Sequence, residues 1–371
     1  MNASTVLRVP NEIVQQVLER TSRLSEVPAP SNAEGRRATI VAGWWRDDGL
    51  AGVDIDEAGN VWGCARQGTD EAILVAAHLD TVFGDDTPHI TGIDGDRMYG
   101  PGVGDNTVGV AALSTLAALL PRTTNHAIWV LATTGEEGLG NLAGITHALS
   151  NSPQTAKALI AVEGNYLGRV ATRGVGSLRL SIEVEGPGGH AWEDSDRPSA
   201  THVVGELVEA SSRLRSPGDR SVSVNVGRLW GGESINARAR RAGFDIDLRA
   251  DDGDALDRLE SGLAELLESV DPDIRIATRL LGRRPAGGIR SDHPLVRVAD
   301  EVLREVGITP THMAASTDAN AAYATGIPAI TLGVTTGGGE HTSDEWIDLP
   351  PLEQGIAALV QTVARYDHGR G

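Results

Sequence analysis

The sequence has little cysteine and few aromatic residues. Cys64 is the single cysteine, so an internal disulfide is excluded, and with no histidine close to it in sequence we interpret it as a small buried apolar residue rather than a nucleophile. Aromatic residues make up 4% of the chain and hydrophobic residues 40%. The interior must therefore consist mostly of alanine, valine, leucine and isoleucine.

Long apolar runs and excess positive charge are also missing. No stretch reaches the roughly 18 to 20 apolar residues of a membrane-spanning helix, and the first twenty residues lack the apolar run of a signal peptide, so we expect a cytoplasmic protein. The formal net charge is -19, which disfavours binding to nucleic acid or to anionic membranes. The length of 371 residues favours two domains.

The first half of the chain alternates between two kinds of apolar pattern. Residues 11–24 have helical spacing, as does a stretch after Pro30. Continuous apolar runs of the type found in strands buried on both faces then alternate with Ala/Leu-rich helical stretches; the strand-like runs are AILVAAH, HAIWVLATT and ALIAVEG. This alternation predicts an α/β fold, with a largely parallel sheet covered by helices in three layers.

From about residue 178 the pattern changes to strict alternation, as in LRLSIEVEG and AGFDIDLRA, with two amphipathic helical stretches between such segments. The first pattern returns after LLGRRPAGGI. We therefore predict a discontinuous domain of residues 1–177 and 284–371, with an inserted α+β domain of residues 178–283.

Acidic residues and histidines recur where strand-like runs end. Each has an ordinary structural explanation by itself, such as a surface polar pair or a helix cap. Parallel sheets, however, place their sites at the carboxyl ends of strands. The candidates at these ends, together with Asp105 before a predicted helix, are His78, Asp80, Glu136, Glu137, Glu163 and His341.

This set of side chains suits a pair of zinc ions, which prefer imidazole and carboxylate ligands and a shared carboxylate. Of the adjacent Glu136 and Glu137, one can coordinate metal while the other serves as a base. We expect Asp80 to accept the second ring proton of His78, an interaction that fixes the orientation of the imidazole. One metal ion per chain, or Co²⁺ or Mn²⁺ in place of Zn²⁺, is compatible with the same ligands.

Six motifs in order resemble the M20 family of zinc aminoacylases and exopeptidases; they are HLDTV, GPGVGDNTVGVAAL, TTGEEG, VEG, GPGGHAW and EHTSDEW. The family includes tripeptide aminopeptidases, glutamate-releasing carboxypeptidases, and acetylornithine or succinyl-diaminopimelate deacylases. The resemblance therefore implies amide hydrolysis of a small peptide or an N-acyl amino acid. The sequence does not separate these branches.

The same resemblance assigns roles in the first domain. It implies that Asp105 bridges two zinc ions, with His78 and Glu163 on one and Glu137 and His341 on the other. In such a site Glu136 is the general base that takes a proton from the attacking water and later passes it to the leaving amine. A cis peptide bond between Asp105 and Asn106 is also implied.

For the insert, the resemblance implies a lid and dimerisation domain, and hence a homodimer. His190 matches a histidine that reaches the partner's active site in dimeric relatives, Asn236 matches an assisting asparagine, and Arg249 is a candidate for binding a substrate carboxylate. An exposed turn histidine and a strand-end salt bridge are the simpler explanations for His190 and Arg249. A non-catalytic, metal-containing ligand-binding or assembly protein on the same fold is the alternative function.

Overall fold

The structure is a computed structural model that describes residues 7–369, leaving out the side chain of Asp70. It divides into two compact units. Of the described residues, 7–174 and 288–369 form one, called here the main unit, and Val175–Gly287 forms the other, called the insert. The predicted boundaries lie at residues 178 and 283.

The main unit contains one large sheet with the strand order β1-β2-β6-β3-β7-β17-β8, and β16 pairs with β8. Its strands are β1 (Ala51–Ile55), β2 (Val61–Arg66), β3 (Thr69–His78), β6 (His126–Thr133), β7 (Thr155–Val162), β8 (Arg169–Gly174), β16 (Thr311–Ala315) and β17 (Ala329–Leu332). The four central strands, β6-β3-β7-β17, are parallel. The predicted α/β fold with a largely parallel sheet is confirmed.

Strand β3 shows why its sequence is apolar throughout. Ile73 and Val75 pack into a core on one face of the sheet, while Leu74 and Ala76 pack into a second core on the other face. A strand that is buried on both faces cannot alternate apolar and polar residues. Helices supply the outer layers; they are α1 (Asn11–Ser25), α2 (Gly35–Asp47), α3 (Val108–Leu113), α4 (Thr115–Leu119), α5 (Ala143–Ser150), α8 (Pro294–Glu305), α9 (Ala319–Ala324) and α10 (Leu352–Asp367).

A small antiparallel sheet with the order β18-β19-β5-β4 holds the loop that carries His341. Its strands are β4 (Gly92–Asp94), β5 (Arg97–Tyr99), β18 (Gly337–Gly338) and β19 (Trp346–Asp348). A two-residue strand, β15 (Gly287–Gly288), lies at the boundary of the units.

The insert has an antiparallel sheet with the order β11-β13-β9-β14 and two helices. Its elements are β9 (Gly176–Glu185), β10 (Gly189–His190), α6 (Ala200–Ser212), β11 (Val222–Gly231), β12 (Ala237–Arg238), β13 (Arg241–Ala250), α7 (Gly253–Glu268) and β14 (Arg275–Arg284). Alternate residues of β9 and β13 pack with the two helices into a separate core. The alternating sequence pattern is therefore that of a sheet with one buried face.

Cys64 on β2 is buried, as its sequence context predicts, and burial raises the pKa of its thiol. Among the helices within residues 7–369, none combines the length and apolar character needed to cross a bilayer.

Candidate metal centre

His78 is the last residue of β3 and lies against two carboxylates. Its Nε2 atom is 3.0 Å from Asp105 Oδ1 and 3.6 Å from Glu163 Oε2. Glu163 directly follows β7, the neighbour of β3 in the sheet. The carboxyl ends of two adjacent parallel strands thus bring an imidazole and a carboxylate together.

A second group of ligand atoms forms around the other oxygen of Asp105. His341 Nε2 is 3.1 Å from Asp105 Oδ2 and 3.1 Å from Glu137 Oε1. The two oxygens of one carboxylate therefore face two histidines that are distant in sequence. This is the arrangement expected of a carboxylate shared by two metal ions.

Within residues 7–369, ligand atoms within 4.8 Å of one another fall into three overlapping groups: His78, Asp105 and Glu163; His78, Glu136 and Glu137; and Asp105, Glu137 and His341. His78 and the three glutamates are buried, whereas the His341 side chain is 54% exposed. Two imidazoles and four carboxylates are a donor set suited to a divalent transition metal.

Electrostatic coupling within the cluster shifts several pKa values. Burial raises the pKa of Glu163 to about 7. Contacts with Asp105 and Glu137 raise the pKa of His341 to about 10. Burial would raise the pKa of Asp105, but its contacts with His341 and His78 hold it below the usual range.

Asp80 contacts both His78 and the turn after β6. His78 Nδ1 lies 2.9 Å from the main-chain carbonyl oxygen of Asp80 and 3.5 Å from one of its carboxylate oxygens. The carboxylate also accepts the backbone N–H groups of Glu136 and Glu137, at 3.0 Å and 2.8 Å. Asp80 therefore connects the end of β3 with the turn after β6.

The turn that carries Asp105 contains the cis peptide bond to Asn106 that the family resemblance implies. The Asn106 side chain donates to the Val162 carbonyl and accepts the N–H of Gly164, so it contacts the backbone on both sides of Glu163. The spacing between Asp105 and Glu163 is thus set by a buried amide.

Glu345 is a buried residue of the site that the sequence analysis missed. Its carboxylate accepts the N–H groups of Gly102, Gly104 and Asp105, at 3.1, 2.7 and 2.7 Å. Burial raises its pKa to about 8. The motif EHTSDEW contains this acid, but its sequence position alone does not show that it supports the Asp105 turn.

In the insert, His190 and Asn236 lie beside each other. His190 is in β10, which pairs with β12 in a short two-stranded antiparallel sheet, and the Asn236 carbonyl oxygen accepts the N–H of Ala191 at 2.9 Å. His190 Nδ1 accepts the N–H groups of Trp192 and Glu193, both at 3.3 Å, which fixes the ring on an exposed loop.

Arg249 lies on β13 and forms an ion pair. Its Nε and Nη2 atoms donate to Asp247 Oδ2 at 3.0 and 2.9 Å. Asp247 is two residues away on the same strand, so both side chains project from one face of the sheet. The salt bridge considered as the simpler explanation is thus present.

Comparison with known proteins places these features in a family. The model of peptidase family M20/M25/M40 matches residues 74–365, which is more than half of the chain. An acetylornithine deacetylase from Vibrio parahaemolyticus is 25% identical over 377 aligned positions, covering 96% of this chain and 98% of that protein.

Among the solved structures that share the fold are two peptidases. A tripeptidase from Staphylococcus aureus superposes with a TM-score of 0.80 at 18% identity, covering 96% of this chain and 99% of that chain. A dinuclear metal-binding peptidase of the M20 family from Bacillus subtilis has a TM-score of 0.72 at 15% identity, covering 97% and 99%. The chain therefore belongs to peptidase family M20/M25/M40 and is a hydrolase of that family.

Proposed function

We propose that this hydrolase cleaves an amide bond in a small peptide or an N-acyl amino acid. The site would hold two zinc ions among the clustered histidine and carboxylate side chains described above. The observation that carries the proposal is the Asp105 carboxylate, whose two oxygens lie 3.0 Å and 3.1 Å from the two histidines. Co²⁺ or Mn²⁺ are possible substitutes because the same oxygen and nitrogen donors accept them.

In this proposal Asp105 would hold both ions. His78 and Glu163 would complete one set of ligands, and Glu137 and His341 would complete the other, in agreement with two of the three groups of ligand atoms. Bound zinc supplies Lewis acidity, which lowers the pKa of water and polarises a carbonyl group.

Glu136 is the proposed general base. It is buried beside His78 and Glu137 in the remaining group of ligand atoms. Its carboxylate takes a proton from the attacking water as the carbonyl carbon is attacked, and later delivers that proton to the leaving amine. Asp80 orients this carboxylate indirectly, since it accepts the backbone N–H of Glu136.

The variant Glu136→Gln tests the assignment. We expect turnover to fall by at least about a thousandfold with metal content unchanged, because the amide retains the shape of the side chain but cannot accept the proton. Metal is measured by plasma mass spectrometry, with exposed Glu57→Gln as the control. Loss of metal together with activity would instead make Glu136 a ligand, and full turnover would exclude it as the base.

A panel of substrates is needed to identify the substrate class. The acetylornithine deacetylase relative and the tripeptidase neighbour act on different amides. Purified protein is therefore assayed with di- and tripeptides and with N-acetyl, N-succinyl and N-carbamoyl amino acids, with and without a chelator. Chelator-sensitive cleavage of one class identifies the branch. Tight binding without cleavage in zinc-replete protein would favour the non-catalytic alternative.

We further propose that the protein is a homodimer through the insert, with His190 and Asn236 assisting at the partner's site and Arg249 binding a substrate carboxylate. Support for the dimer comes from β11, an edge strand of the insert sheet, on which Leu229 is 62% exposed. Sedimentation tests the dimer, and a monomer would remove the role of His190 in the partner. The cytoplasmic location stays a prediction from the sequence.

A further inference from the structure

The turn that carries Glu136 and Glu137 is held from the N-terminal side of the chain. Ser31 and Glu34 precede helix α2 and reach this turn from about a hundred residues away in sequence. Neither residue is among the proposed ligands or bases. Their contacts nevertheless involve the backbone of the two residues on which the proposed chemistry depends.

Ser31 contacts the turn both through Asp80 and directly. Its hydroxyl oxygen lies 2.6 Å from Asp80 Oδ2, the oxygen that also accepts the N–H of Glu137. The same hydroxyl lies 3.1 Å from the carbonyl oxygen of Glu137. Because Asp80 is fully buried, its carboxylate has little freedom to compensate if the hydroxyl is removed.

Glu34 fixes the other end of the turn. Its Oε1 atom accepts the N–H of Gly135 at 2.9 Å and the N–H of Asn32 at 2.9 Å. Gly135 has a φ of 63°, a left-handed conformation in which glycine is favoured. A 4% exposed carboxylate therefore holds the residue at which the chain turns away from β6.

We propose that Ser31 and Glu34 are positioning residues for Glu136 and Glu137, an inference that rests on the proposed function of that pair. Three consecutive backbone N–H groups, of residues 135, 136 and 137, donate to carboxylates. Glu34 accepts the first, and Asp80 accepts the other two. The amide donors of the turn are thus fixed in space, and the direction of both glutamate side chains follows from the backbone.

Among the kinetic constants, we expect kcat to change more than KM. A general base must lie within hydrogen-bond reach of its proton, and a displacement of about 1 Å can cost roughly a hundredfold in rate. We expect Ser31→Ala and Glu34→Ala each to lower kcat by at least about tenfold, with KM changed less than about twofold.

Conservative variants separate positioning from general stability. Ser31→Thr keeps the hydroxyl, and Glu34→Gln keeps an oxygen that can accept the two N–H groups. Both should recover kcat to within about threefold of the parent. Thr39→Ala is the matched control, since it removes a hydroxyl that donates to the Gly35 carbonyl within helix α2.

The assay uses the full chain and the substrate cleaved fastest in the panel, with metal content measured for each variant. Alanine variants within about twofold of the parent kcat, or conservative variants no better than the alanine ones, would overturn the proposal. A second readout is the visible absorption of the Co²⁺-substituted protein, which reports the ligand geometry around Glu137.

The Co²⁺ readout also keeps the two proposals distinct. If Glu136→Gln retains full turnover, the assignment of Glu136 as the base is wrong, whatever the kcat of the Ser31 variants. In that case a changed Co²⁺ spectrum in Ser31→Ala at full occupancy still supports positioning of Glu137, and an unchanged spectrum overturns it. An inactive Glu136→Gln with an unaffected Ser31→Ala would reject only the positioning role.

Discussion

His341 differs from the other proposed ligands because it lies on an exposed loop and has a φ of 64°. Asparagine tolerates this left-handed conformation but has no imidazole. We therefore expect His341→Asn to lower the metal content from about two ions per chain to about one, and to leave the unfolding temperature of the chelated protein within about 2 °C. Plasma mass spectrometry and thermal unfolding measure the two effects.

A suitable control for this change is His312→Asn, since His312 pairs with Asp300 and is not among the proposed metal ligands. Its metal content should equal that of the parent. Two retained ions in His341→Asn would contradict the ligand assignment.

Glu34 provides a test of stability against pH. Burial raises its pKa above the ordinary value of 4.5, so the folded chain favours the protonated carboxyl. The stability from this group is present below the unfolded pKa and is lost as pH rises through the folded pKa. Glu34→Gln should therefore become more stable relative to the parent as pH rises, by up to about 1.4 kcal/mol per unit of pKa difference.

Urea unfolding of the chelated protein between about pH 5 and pH 8 measures this difference. Chelation removes the contribution of metal binding from the comparison. A difference between Glu34→Gln and the parent that stays constant over this range would show that the Glu34 carboxyl titrates normally.

At the scale of elements, helix α3 approaches the Asp105 turn closely at Gly109. A Cβ atom at this position would lie 2.0 Å from Asn106 Oδ1, whereas at Gly43 in α2 a Cβ would meet no described atom within 4 Å. We expect Gly109→Ala to destabilise the protein by about 1–3 kcal/mol and to reduce metal binding. Gly43→Ala should stabilise it by about 0.5–1 kcal/mol.

Both glycines are within helices, so helix propensity alone predicts the same sign for both substitutions. Urea unfolding of the two variants separates propensity from close approach. Stabilisation by Gly109→Ala would show that the Asn106 amide can move without cost to the fold.

The elements also show what the sequence could predict. The clustering of the proposed ligands could be predicted because buried parallel strands have recognisable apolar runs, and side chains at their carboxyl ends share one edge of the sheet. The contacts of Glu345, Ser31 and Glu34 could not be predicted from the sequence, because each depends on the path of a loop over a distant segment. The ion pair of Arg249 with Asp247 could be predicted from the sequence, because residues two apart on a strand project from the same face of the sheet.

At the scale of the whole molecule, the two units have separate cores. The buried apolar residues of the insert cluster among themselves, from Leu178 to Ile274. We expect a fragment of residues 175–287 to fold alone, with an unfolding temperature that does not respond to a chelator. The full chain should contain a transition that a chelator lowers, since metal at a thousand times its Kd adds about 4 kcal/mol.

Differential scanning calorimetry of the fragment and of the full chain, with and without chelator, measures these transitions. A fragment that is unfolded at room temperature would show that its core needs the rest of the chain.

The position of β17 between β7 and β8 has a consequence for synthesis on the ribosome. Strands β7 and β8 are made before the insert, and their common neighbour β17 is made after it. At typical translation rates the insert delays β17 by roughly ten seconds. During this interval the exposed edges of β7 and β8 are open to wrong partners, so early folding of the insert and chaperone binding to the nascent sheet would govern the yield of native protein.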